Sequence, residues 1–365
     1  MDHCKVNSRM VTLARESRGL TQGELAKQIS ANQGRAVTQG TISKVEQGLL
    51  SASEELLAGI VNILKYPASF FYQNEEIYAA GMSQYRKRAS LPSKTLCKID
   101  AETNIIRLRI KSLLKSVEDI EVKIPFYDIN EYPDPSEVAR LVRQAWFIPR
   151  GPIGNVTKHL EKAGIIVVHC NFETRLIDGF TASYDEKIPP IIFVNKVLTG
   201  DRLRFTLAHE LGHIVMHRFP SESMEEEANT FASEFLMPST DIKPDLAYLT
   251  LHKLADLKLH WKVSMAAIVY RATSLGQITP RQSQYLFMQL SKAGYKTREP
   301  VELDVPRESP VLLKKLVDVH MNELEYNANE IAKILHIEET ELYGFYLEPP
   351  AQQRRLAVVK QLFGE

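Results

Sequence analysis

Two histidines four residues apart, with a glutamate directly after the first, stand in His209-Glu210-Leu211-Gly212-His213. On a helix, positions i and i+4 project from one face, so both imidazoles can converge on one divalent cation. Zn²⁺ suits such donors best, with Mn²⁺ as a second option. Glu210 lies beside the first ligand and can take a proton from the water that such a metal activates. A third ligand is available in Glu225-Glu226-Glu227-Ala228-Asn229-Thr230-Phe231-Ala232-Ser233-Glu234-Phe235-Leu236, whose apolar positions are 228, 231, 232, 235 and 236. At about 100° per residue, Glu225 falls about 50° from the centre of that stripe, Glu227 about 110° and Glu226 about 150°. Only Glu225 is expected to face inward, where a cation would offset the cost of a buried carboxylate. Glu226 and Glu227 are accounted for as an acidic first turn that complements the helix dipole. His217, one turn beyond His213, is read as a surface histidine near a helix C-terminus, with an oxyanion-stabilising role as the alternative. His159, His169, His252 and His260 have no partner at a ligand spacing and are read as structural or exposed.

Positioning these residues requires two helices and something to hold them. The apolar runs at 165–169, 177–184 and 191–195 read as strands, the last two separated by a Lys187-Ile188-Pro189-Pro190 turn. A helix is expected over 138–146. A small sheet therefore precedes the histidine helix, and an edge strand at 177–184 could hold a substrate backbone as an added strand.

The segments Phe205-Thr206-Leu207-Ala208-His209-Glu210-Leu211-Gly212-His213 and Glu225-x-x-Ala228-Asn229-x-Phe231-Ala232, closing on Leu236-Met237-Pro238, resemble the ImmA/IrrE family of zinc metallopeptidases over about residues 135 to 240. The resemblance implies His209, His213 and Glu225 as zinc ligands and Glu210 as general base and acid. It also implies a protein substrate, a repressor-type helix-turn-helix regulator, cleaved in a stress or mobile-element response.

The N-terminal region has a different texture. Thr21 with Glu24 three residues on forms a capping box ahead of Leu25, Ala26 and Ile29. A short polar helix follows, anchored by Ile42 and Val45 and stopped at Gly48, with amides, hydroxyls and one cation outside. Glutamine can pair bidentately with adenine, hydroxyls can bond bases or phosphates, and lysine neutralises phosphate. Gln22, Thr38, Gln39, Thr41, Ser43 and Lys44 are therefore the candidate DNA contacts. Ala14-Arg15-Glu16-Ser17-Arg18-Gly19-Leu20-Thr21-Gln22, Glu24-Leu25-Ala26 and the run Gln39 to Gly48 resemble the helix-turn-helix of the XRE (Cro/repressor-like) family over about residues 8 to 72. One departure is the long segment Ser30 to Ala36 where that family has a tight turn. An XRE module upstream of an ImmA/IrrE domain is itself a recurrent family architecture.

The chain has 365 residues, 45 Lys plus Arg against 45 Asp plus Glu, and 44% hydrophobic residues. That composition excludes a disordered chain and a polycation that coats nucleic acid, while permitting a local DNA-reading surface. Residues 1–90 hold 11 Lys/Arg and 8 Asp/Glu, a modest excess. Cys4, Cys97 and Cys170 form no Cys-x-x-Cys pair, so neither a disulfide framework nor a cysteine metal site is expected. No apolar run reaches membrane-spanning length, and a cytoplasmic protein without a membrane partner is expected. The Tyr85-Arg86-Lys87-Arg88 cluster reads as a solvated linker. Helical spacing recurs over 246–275, and a second helix-turn-helix-like pattern over 327–346 carries Glu338, Glu339 and Glu341, which phosphates would repel.

The expected fold is α+β and mainly helical: an XRE-like helix-turn-helix bundle at 1–75, a helical connector at 76–125, a zincin-like metallopeptidase core with a small sheet at 126–245, and a helical C-terminal module at 246–365. The function expected is a zinc-dependent endopeptidase carrying a DNA-binding helix-turn-helix, with double- or single-stranded DNA and a repressor as partners and homodimerisation open. The alternatives are a DNA-binding regulator whose zinc site is structural or vestigial, and an antitoxin-like interaction protein.

Overall fold

The computed structural model describes residues 5–74, 91–117, 120–182 and 188–347. The 85–88 cluster and the far end of the expected strand at 177–184 lie outside these residues. The chain forms two compact units, one of residues 1–119 with 312–365 and one of residues 120–311. This division differs from the four expected segments, because residues 246–311 pack with the metallopeptidase region.

In the first unit, α1 (Ser8–Ser17), α2 (Gln22–Gln33), α3 (Gln39–Glu46) and α4 (Glu54–Leu64) enclose Met10, Leu25, Ile29, Ile42, Ile60 and Leu64. Thr21 caps α2 through the expected box, its hydroxyl accepting from the Glu24 amide and its own amide donating to the Glu24 carboxylate. Much of the long 30–36 segment is helix, since α2 continues to Gln33 and ends at Gly34. The Ser30 hydroxyl then ties the turn, donating to the carbonyls of Ala26 and Val37 while accepting from the Val37 amide. Of the expected connector at 76–125, residues 76–90 lie outside the described residues, and the described part contains one helix, α5 (Ser93–Leu114), whose Ala101, Ile105 and Leu108 join the same core. It belongs to the bundle because its apolar stripe has α1 to cover it.

The second unit is helical around a three-stranded sheet. After α6 (Pro135–Ala145) and α7 (Val156–Lys162) come β1 (Ile166–Cys170), β2 (Gly179–Thr181) and β3 (Ile191–Asn195), in the order β1-β3-β2. β3 is central and wholly buried, parallel to β1 with Ile166 opposite Ile191 and antiparallel to β2 with Phe180 opposite Phe193. After β3, α8 (Gly200–Met216) carries the paired histidines, and α9 (Met224–Leu236) packs against it. Next come α10 (Ser239–Ile242), α11 (Leu251–Trp261), α12 (Met265–Ser274) and α13 (Pro280–Lys292). The periodic 246–275 stretch is two helices, because Lys262 takes a left-handed conformation and Ser264 caps a new start. Leu207, Leu211, Phe231, Phe235, Trp261 and Ile268 share one core.

Buried ion pairs tie these helices together. Arg204 of α8 meets Glu308, Lys258 of α11 meets Asp201 at the start of α8, and Arg271 of α12 meets Glu234 of α9. Burial opposes ionisation of Asp201, but hydrogen bonds from Lys258 and Thr199 outweigh it and hold its carboxyl below the usual range.

The chain returns to the first unit as α14 (Leu312–Asn322), α15 (Ala328–Ile334) and α16 (Glu339–Phe345). α15 starts at a capping box of Asn327 and Glu330. The acidic α16 faces internal cations: the Glu341 carboxylate lies 3.8 Å from both Arg18 and Arg109. No helix among the described residues is long and apolar enough to cross a membrane.

Candidate metal centre

His209 and His213 lie on the buried side of α8, one turn apart, with their Nε2 atoms 3.1 Å from each other. Glu225, in the first turn of α9, places one carboxylate oxygen 3.6 Å from His209 Nε2 and the other 3.6 Å from His213 Nε2. Among the described residues these three form the one His/Cys/Asp/Glu cluster arranged to hold a metal ion. The distances can be tested against zinc. Bonds of about 2.0–2.1 Å to a tetrahedral centre require donor separations of about 3.3 Å. The His209–His213 edge of 3.1 Å is close to that value, each histidine lies 3.6 Å from a different oxygen of Glu225, and with one ligand atom per residue the three donors fall within 4.8 Å of one another, which leaves a fourth position.

The hydrogen bonds around the cluster agree with a cation at its centre. His209 Nδ1 is 3.0 Å from Asn229 Oδ1, an amide oxygen that can only accept. His209 Nδ1 therefore carries the proton, and the Nε2 lone pair points at His213 and Glu225. Such outer bonds fix the ring and its tautomer.

Glu210 is buried on the adjacent face of α8 and accepts a 2.9 Å hydrogen bond from the Thr181 hydroxyl on β2. β2 can approach because residue 179 is glycine: a Cβ there would lie 2.8 Å from Thr206 Cγ2 and 2.9 Å from the Phe193 carbonyl oxygen. Asn195 fixes the entry to β2, donating to the carbonyls of Thr174 and Ile177. The second edge of β2 pairs with no strand among the described residues.

Asn229 and Thr181 have no role assigned from the sequence, and the structure places His217 and Glu227 differently from the surface histidine and outward acidic turn expected of them. His217 is not a surface residue, since its side chain is only 3% exposed. Its Nδ1 lies 3.0 Å from His213 Nδ1 and its Nε2 2.8 Å from Glu227 Oε2. Burial pushes the imidazole pKa down, against the opposing pull of Glu227. Glu227 thus also turns inward, towards the end of α8. The i, i+4 spacing from His213 to His217 and from Glu225 to Asn229 was the available signal. For Thr181 the sequence held none.

Residues 160–273 match the family model described as IrrE N-terminal-like domain, and residues 12–71 match the one described as Helix-turn-helix. The chain carries an XRE-type helix-turn-helix and a peptidase-family domain of the IrrE type. No curated protein matches it. The IrrE-type match reaches residue 273 and so includes α11 and nearly all of α12, past the expected boundary at 245.

Within the helix-turn-helix, α3 presents Gln39 and Lys44 to solvent, with Thr41 and Ser43 partly exposed. Thr38 is the N-cap of α3 and its hydroxyl accepts from the Thr41 amide. The Ser43 hydroxyl accepts from the Gln47 side chain. Gln22 is tied inward: its amide donates to Glu46, which Arg15 also grips. Of the six candidate DNA contacts, then, Thr38, Gln39 and Lys44 are exposed and Gln22, Thr41 and Ser43 partly so, while Gln22 and Thr38 also support the geometry of α3.

Proposed function

We propose that this protein is a zinc-dependent endopeptidase, joined to a DNA-binding helix-turn-helix, that cleaves a repressor-type regulatory protein in a stress or mobile-element response. The observation that carries this reading is the convergence of His209, His213 and Glu225, whose donor atoms lie within 4.8 Å of one another, with Glu210 held beside them. When bound, zinc supplies Lewis acidity, which acidifies water and polarises a carbonyl. Glu210 accepts the proton of the attacking water and passes it to the leaving amine. The Thr181 hydroxyl donates to one oxygen of that carboxylate. An extended substrate pairs with the outer edge of β2, which brings its backbone past Glu210. On the first unit, Gln39, Thr41, Ser43 and Lys44 meet bases and phosphates, with Gln22 and Thr38 bracing the recognition helix.

The test combines elemental analysis of the purified protein with incubation against candidate helix-turn-helix repressors, with and without single-stranded DNA. One equivalent of zinc and one discrete cut are expected, and Glu210→Gln should slow the cut by about 10²-fold or more. Absence of bound metal, or cleavage undiminished by the substitution, would sink the reading. Sequence-specific DNA binding with bound zinc and no cut would instead favour a regulator with a structural metal site.

A further inference from the structure

His213 does not end on an ordinary acceptor. Its Nδ1 faces another imidazole nitrogen, His217 Nδ1, at 3.0 Å, and the far nitrogen of that second ring faces the Glu227 carboxylate at 2.8 Å. The order of protons along this line follows from what each group can do. A carboxylate only accepts, so His217 Nε2 carries a proton and donates it to Glu227. A neutral His217 then has a lone pair on Nδ1, which can only accept, so His213 Nδ1 must be the donor. His213 is thereby left with its Nε2 lone pair facing His209 and Glu225.

We propose that His217 and Glu227 form a two-residue relay that fixes the tautomer and ring orientation of His213 and so sets the affinity of the metal centre. His217 is a positioning residue. Both its nitrogens are engaged, one by His213 and one by Glu227, so it serves neither as a metal ligand nor as an oxyanion partner. Its burial at 3% side-chain exposure keeps water from replacing either bond. The two ligand histidines are thus held differently, His209 by one amide and His213 by an imidazole backed by a carboxylate. The relay joins the end of α8 to the first turn of α9, the same turn that carries Glu225.

This inference rests on the metal-binding reading, and one titration separates the two. Zinc affinity is measured by chelator competition on the full chain for the wild type, His217→Phe, His217→Gln and Glu227→Leu, with the melting temperature of each metal-free form taken alongside. His217→Phe removes the acceptor and should weaken zinc by about 10–100-fold. His217→Gln keeps an oxygen to accept from His213 and an amide to donate to Glu227, and should restore most of the affinity. Glu227→Leu should fall between the two, and it tests the relay independently if His217→Phe fails to fold. A wild type that binds no zinc overturns both readings. A wild type that binds, with His217→Phe binding equally well, overturns the relay alone, as does an equal loss in His217→Phe and His217→Gln.

Discussion

The substitution Gly212→Ala, between the two ligand histidines, tests how closely α8 and α9 must approach. A methyl group at 212 would lie 3.2 Å from Phe231 Cδ1 and 3.3 Å from the Ala228 Cα, so the neighbours must give by a few tenths of an ångström. The Phe231 ring is itself fully buried and stacked on Phe235 at 5.6 Å between centroids. The Ala228 contact is backbone, so α9 has to move as a body. Replacing a helical glycine by alanine gains about 1 kcal/mol of helix propensity, while overpacking a core of this kind costs about 1–3 kcal/mol. The net effect on the metal-free protein should therefore be a loss of about 0–2 kcal/mol. The effect on the metal should be larger in proportion, because Glu225 and Asn229 both ride on α9. Ligand distances have to hold to within about 0.2 Å, and a shift that disturbs the Asn229 bond to His209 should weaken zinc by about tenfold. Urea denaturation of the metal-free form and chelator competition on the loaded form read the two quantities separately. A variant that gains about 1 kcal/mol and binds zinc as tightly as the wild type would show that the helices do not meet at this glycine.

Two further outcomes follow from the buried charges. Lys258 is held by Asp201 and lies 2.8 Å from Glu299, so Lys258→Met leaves carboxylates buried without their cation and should cost about 3–5 kcal/mol in urea denaturation; a loss under about 1 kcal/mol would show that the pair is not sealed from water. The half-buried His169 imidazole on β1 has its pKa pushed down to about 4, first by burial and then by Arg307. A histidine with a depressed folded pKa favours the native state above the unfolded value near 6.5, so its contribution is lost as the pH falls from about 6.5 to about 4. The full shift corresponds to about 3 kcal/mol, and the partial exposure of the ring reduces this to about 1–2 kcal/mol. His169→Gln should flatten that segment of the stability profile, whereas an unchanged profile would place the proton elsewhere.

The parts of this fold that were legible in the sequence are those governed by local rules. The Thr21 capping box, the anchoring of α3 by Ile42 and Val45, and the placing of His209, His213 and Glu225 all depend on spacing within one helix. What spacing cannot contain is where one helix ends relative to another. The wheel of α9 measured Glu227 against its own apolar stripe and set it outside, yet the residue it meets, His217, stands at the end of α8. The length of β2 and its contact with Glu210 depend in the same way on a partner far along the chain. The 327–346 segment shows the converse. Its glutamates argued against DNA, and Glu341 instead faces Arg18 and Arg109 within its own unit.

A single interval nonetheless recurs through the metal centre. Residues 209 and 213 stand at i and i+4 on α8 with His217 four further on as its C-cap, and 225 and 229 stand at i and i+4 on α9. One helical turn carries a side chain about 5.4 Å along the same face. A residue one turn beyond a ligand is thus within reach of that ligand's outer nitrogen, as His217 is of His213, or of a ligand on the facing helix, as Asn229 is of His209. The periodicity that brings two histidines to one metal therefore also supplies the groups that hold them, and a ligand motif on a helix should be read one turn further in each direction before its neighbours are assigned to the surface.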